Sequence, residues 1–172
     1  MPLVLNSSSI SGLAAVGGLS SPQSNSIIQV VQATTQTQVS SSTTTFADSG
    51  LTANITPTSS SSRILIFVSQ PYVVYRNDVN QYGGFQIVKN STAIYTPAQD
   101  GTSSFELGLS IGGVSSVQLY NRYTACYLDS PATTSSTTYK TQMRSYYTSN
   151  GATITAQPSN GTASIILMEV AG

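Results

Sequence analysis

Hydrophobic and polar side chains alternate without a slip over residues 139–147, with Tyr139, Thr141, Met143, Ser145 and Tyr147 on one side and Lys140, Gln142, Arg144 and Tyr146 on the other. Period-two patterning of this kind predicts a strand with one face packed and one face wet. Asn150-Gly151 follows, a pair suited to the positive φ angles of a type I′ turn. A shorter run over 152–157, a second signal at Asn160-Gly161 and an apolar run over 164–170 complete the stretch. Two turn signals so close together predict an antiparallel meander, with the last strand inside a sheet.

Earlier in the chain, residues 26–32 are β-branched and apolar, and 43–46 and 51–55 supply short alternating pieces that stop at Pro57. Residues 63–69 contain the unbroken run Ile64, Leu65, Ile66, Phe67, Val68, which reads as a strand buried on both faces and ended by Pro71. Residues 72–82 are polar, aromatic and irregular, and Gly83-Gly84 resets the backbone. Residues 85–95 make one or two strands, and Asp100-Gly101 turns the chain. Phe105, Leu107, Leu109 and Ile111 alternate with polar or small residues, and 117–128 form a long strand carrying Tyr120, Tyr123 and Tyr127. No capped amphipathic helix is visible. The expectation is an all-β antiparallel sandwich or jelly roll over residues 26–172, preceded by an extended N-terminal arm over 1–25. That first segment is rich in Ser and Gly and has two readings: a flexible linker, or an arm that orders against a partner through Leu3, Val4, Leu5, Ile10 and Leu13.

Composition changes the picture in one respect. Only 7% of the 172 residues are charged, six basic against six acidic, for a net charge of zero. Ser, Thr, Asn and Gln carry the remaining polarity. A surface with so little charge has weak protection against association, so the chain suits an assembly better than a dilute monomer. Six scattered basic residues cannot build the phosphate-neutralising stripe that nucleic acid requires. No apolar run approaches the ~20 residues of a membrane span, and residues 1–18 lack the positive start of a signal peptide. Synthesis in a host cytoplasm, without a secretion signal, is the expectation.

Chemistry is harder to find. Histidine is absent, which removes Ser-His and Cys-His pairs and the commonest metal ligand. Cys126 is alone and lies in a predicted strand, where a buried inert thiol is expected. The carboxylates Asp48, Asp78, Asp100, Glu106, Asp129 and Glu169 are dispersed; Glu106 and Glu169 read as outward residues on half-wet strands. Asn-x-Ser/Thr triplets begin at Asn6, Asn54, Asn90 and Asn160, as chance predicts in so Ser/Thr-rich a chain. No enzyme activity, cofactor or metal is expected. Tyrosines are the remaining candidates, since each offers a flat apolar body with a polar tip. Tyr139 and Tyr147 share the packed face and read as core. Tyr72, Tyr75 and Tyr82, beside Arg76, Asn77 and Asn80, read as a partner-binding or receptor-binding loop, with a loop that merely packs on its own domain as the plain alternative.

The segment YLDSPATTSSTTYKTQMRS (127–145) resembles a recurrent segment in virion proteins of tailed phages of aquatic bacteria, a cyanophage-like family of tail-fibre and appendage modules. Residues 27–69 and the closing ASIILMEVAG are similar to the start and end of the same module, and MPLVLNSSSISGL resembles short starts of fibre proteins. The resemblance implies a homotrimeric β-sandwich head displayed on a virus particle, with no catalytic residues; other tail or capsid proteins and a host surface glycan are the partners expected of such a head. A fibre carries a long shaft before its head, whereas residues 1–25 alone precede this one. A short tail fibre or fibre tip fits that length, and so does a capsid cement protein strapped on by its arm. A carbohydrate-binding module is the third reading.

Overall fold

The computed structural model describes residues 23–78, 80–96, 107–110 and 115–172. Among the described residues, eleven strands form two antiparallel sheets. Sheet A contains β1 (Ile27–Thr35), β2 (Val39–Ser41), β4 (Arg63–Arg76), β8 (Val117–Asp129), β10 (Thr153–Ala156) and β11 (Ala163–Val170). Sheet B contains β3 (Ala47–Ile55), β5 (Asn80–Lys89), β6 (Thr92–Tyr95), β7 (Leu107–Ser110) and β9 (Thr137–Ser145). The expected all-β sandwich is the observed fold. The expected arm over residues 1–25 lies outside the described residues up to position 22.

β4 is the spine of sheet A. Along one edge it pairs with β8 over its whole length, from Ile64↔Asp129 to Arg76↔Val117. Its other edge is shared end to end by β11, up to Ser69↔Ser164, and β10, from Tyr72↔Ala156. β10 and β11 are thus one interrupted strand running antiparallel to β4, not two arms of a meander. The interruption is a 3-10 turn, Pro158–Asn160. Gln157, Ser159 and Asn160 all take positive φ, so Asn160-Gly161 serves an outpocketing and not a chain reversal. Asn150 and Gly151 are both at positive φ and Ser149 accepts from the Ala152 amide at 3.1 Å. That tight turn is real, but it joins β9 of sheet B to β10 of sheet A instead of pairing them.

Pro71 does not end β4. In an antiparallel strand a residue's N–H and C=O face the same neighbour, and the Pro71 carbonyl accepts from the Gln157 amide at the break between β10 and β11. The missing N–H therefore falls where the ladder is already interrupted. Residues 43–46, expected as a strand, form bends between β2 and β3.

The core lies between the sheets. Ile64, Ile66, Val68, Tyr72, Ile165 and Leu167 face Leu51, Ile55, Phe85, Ile87, Tyr139 and Met143 across it. Aromatic rings join the layers: Phe85 stacks on Tyr123 at 4.8 Å and 11° and meets Tyr72 at 5.7 Å. Several polar side chains that point inward satisfy one another. Gln70 donates to Ser49 at 2.9 Å and accepts from Thr141 at 2.8 Å. Glu169 is fully buried, contrary to the outward reading, and accepts from the Thr58 amide and hydroxyl at 2.7 and 2.8 Å.

Candidate functional site

The residues expected in one binding loop divide among three environments, because β4 continues through Arg76 and shortens the loop to a tight connection from sheet A to sheet B. Tyr72 is core, 1% exposed, and burial pushes its phenol up to about 12. Tyr75 points out of sheet A and its hydroxyl donates to Asn77. Arg76 is buried, bridges to Asp78 at 3.1 Å and donates to Ser149 at 3.0 Å. Asn80 opens β5 opposite Ser110. Tyr82 is half-buried against Tyr146 at 6.0 Å and Tyr147 at 5.9 Å.

These contacts bring the β4–β5 tip against residues 146–151, which the sequence reading left out of the site. The guanidinium of Arg76 lies over the Tyr147 ring at 3.7 Å. Asn150 donates to Asp78 at 3.0 Å, and the Asn77 amide donates to the Asn150 carbonyl at 2.8 Å. Tyr147, expected in the core, is instead half-buried beyond the end of β9. Tyr146 stands 43% exposed, edge-on to Tyr147 at 5.0 Å. The result is a rigid aromatic tip with an amide and carboxylate rim. It can stack a flat partner and offer hydrogen bonds. Asn150-Gly151 was the one available signal, and it carried only a turn.

A second surface occupies the outer face of sheet A. The unbroken run 64–68 is not buried on both sides: Ile64, Ile66 and Val68 face the core, while Leu65 and Phe67 face out. Register extends that outward face across four strands. Val30 lies opposite Met168, Met168 opposite Leu65, and Leu65 opposite Leu128. The next row is Gln32, Ile166, Phe67 and Cys126. Val30 is 57% exposed, Leu128 44% and Phe67 39%. Cys126 is exposed, not buried as expected, and with Phe67, Thr124, Ser164 and Ile166 it lines a shallow apolar groove of about 360 Å³.

Within the segment 127–145, Asp129 of sheet A and Tyr139 of sheet B form a buried joint between the sheets. The Asp129 carboxylate accepts from Lys89 at 3.1 Å and from the Tyr139 hydroxyl at 2.7 Å. Burial, together with that hydrogen bond and the nearby charge, pushes the Tyr139 phenol far up. Leu3, Val4, Leu5, Ile10, Leu13 and Glu106 lie outside the described residues. Among the described residues no three carboxylates or cysteines gather as metal ligands, and no helix is long and apolar enough to cross a membrane.

No protein-family model and no curated protein matches the chain. Among solved structures it is similar to the infectious bursal virus-derived T=1 particle, at 15% identity over 85% of this chain and 37% of that chain, with a TM-score of 0.37. It is also similar to the VP2 subviral particle of infectious bursal disease virus, at 14% identity over 86% of this chain and 38% of that one, with a TM-score of 0.31. The chain spans less than two-fifths of either.

Proposed function

We propose that this protein is a structural subunit of a virus particle, a short tail-fibre or fibre-tip head that assembles as a homotrimer and meets the host surface with its outer loops. The observation that carries the reading is the outer face of sheet A. Two cross-strand rows of mostly apolar side chains stand in water on a lone subunit, which is the character of an assembly surface. The resemblance of residues 127–145 to phage appendage modules supports the virion setting. The aromatic tip around Tyr146, with its Asn77, Asp78 and Asn150 rim, is the part of the head suited to touching a host surface glycan.

Light scattering on the full chain is expected to return three times the monomer mass, and a monomer at micromolar concentration overturns the assembly. Imaging of intact particles with a label on the chain is expected to place it on the tail. Absence from particles overturns the virion setting.

A further inference from the structure

We infer that the apolar half of the outer face of sheet A is covered by residues 3–13 of a neighbouring copy, each subunit strapping the next. The inference rests on the reading of the chain as an oligomeric structural subunit. What it adds is the identity of the occupant.

Three features of the molecule select that segment. The first is where the preceding chain leaves the head. Gln23 accepts from the Ser26 amide at 2.9 Å in a tight turn, and the Asn25 amide and Ser26 carbonyl are tied to Ala171 at 2.7 and 2.9 Å. This places the exit beside the row Ile27–Val170–Arg63, which borders the two apolar rows. The second is reach. Residues 3–13 lie ten to twenty positions before Gln23, a stretch that can span at most about 70 Å, against a domain roughly 40 Å across; a neighbour's face is within range.

The third is chemical match. The first charged side chain in the sequence is Asp48, so the segment brings Leu3, Val4, Leu5, Ile10 and Leu13 with no charge to bury. On the face, the rows from Val30 to Leu128 and from Gln32 to Cys126 hold no charge either; Arg63 stands at the border and Arg122 in the polar half. The apolar area is about 14 Å wide over four strands, enough for a few residues of an extended segment. Exchange between copies makes every subunit both donor and acceptor, and a head-to-tail series of this kind becomes a ring when the rotation between copies closes.

Cys126 supplies the test, since it is a free thiol exposed on this face. Leu3→Cys, Leu5→Cys and Leu13→Cys are made singly in the full chain and oxidised gently, with Cys126→Ser as the control in each. The expected result is disulfide-linked dimers and larger species for at least one variant, lost with Cys126→Ser. A link within one chain overturns the exchange. Oligomers with no link in any variant overturn the strap and leave the oligomeric reading standing. A monomer with no link overturns both.

Discussion

The guanidinium carbon of Arg76 sits 3.7 Å from the centre of the Tyr147 ring while an amino group of the same side chain bridges Asp78 at 3.1 Å. One buried cation thereby ties the β4–β5 tip to the loop after β9. Replacing it with Ala removes a cation–π contact and leaves Asp78 without its ion pair. Arg76→Ala is expected to lower stability by about 2 kcal/mol, read from urea denaturation. A double-mutant cycle with Tyr147→Leu is expected to show coupling between the two positions.

Phe85 is the ring through which the sheets hold each other, flat on Tyr123 and tilted to Tyr72. Phe85→Ala opens a cavity that rigid sheets cannot collapse and is expected to cost about 3–5 kcal/mol. Phe85→Leu, which keeps most of the volume, is expected to cost less. Thermal melts of the two variants order them.

Adjacent glycines differ in what surrounds them. A Cβ on Gly83 would meet Ile154 Cδ1 at 2.7 Å and the Arg144 carbonyl at 3.2 Å, whereas on Gly84 the nearest atom is Phe46 Cζ at 3.6 Å. Gly83→Ala is therefore expected to destabilise by about 1–3 kcal/mol and Gly84→Ala to stay near wild type, by the same denaturation measurement.

Glu169 gives the fold an acid limit. Burial penalises its carboxylate, but hydrogen bonds from the Thr58 hydroxyl and amide outweigh that and hold its pKa below the ordinary 4.5. A folded state that binds its proton only at lower pH loses stability as pH falls through that range, and has all of it above. The unfolding free energy is expected to drop below about pH 4.5, and Glu169→Gln is expected to flatten that drop. Equal slopes for the two proteins would refute the assignment.

Much of this fold was legible because alternation reports a face directly. Tyr139, Thr141, Met143 and Ser145 all point inward from β9 as their spacing predicts. Pairing is another matter. The positive φ at Asn150 and Asn160 was readable from their types, yet the same angle serves a hairpin, a crossing between sheets or an outpocketing. Only the long-range ladder of β4 with β10 and β11 decides among them. The candidate site was half visible for a related reason. Pro71 suggested a strand end and moved Tyr72 into a loop, while Tyr147 and Asn150 reach Arg76 and Asp78 from some seventy positions away. The run 64–68 lies in the central strand of sheet A but is not buried on both faces; an apolar outward side chain does not say whether its cover is part of the same subunit.

The interrupted strand at the end of the sequence has a bearing on how the molecule comes into being. β1 finds its ladder partner in β11, and one edge of β4 is filled by β11 and β10, so sheet A has no finished middle until β11 has been made. Until then Ile64, Ile66 and Phe67 belong to a nascent strand with an open side, and such pairings close slowly because their ends are far apart along the chain. Growing chains that met before β11 was made would do so with that side of β4 open, the condition in which strands of different copies pair wrongly.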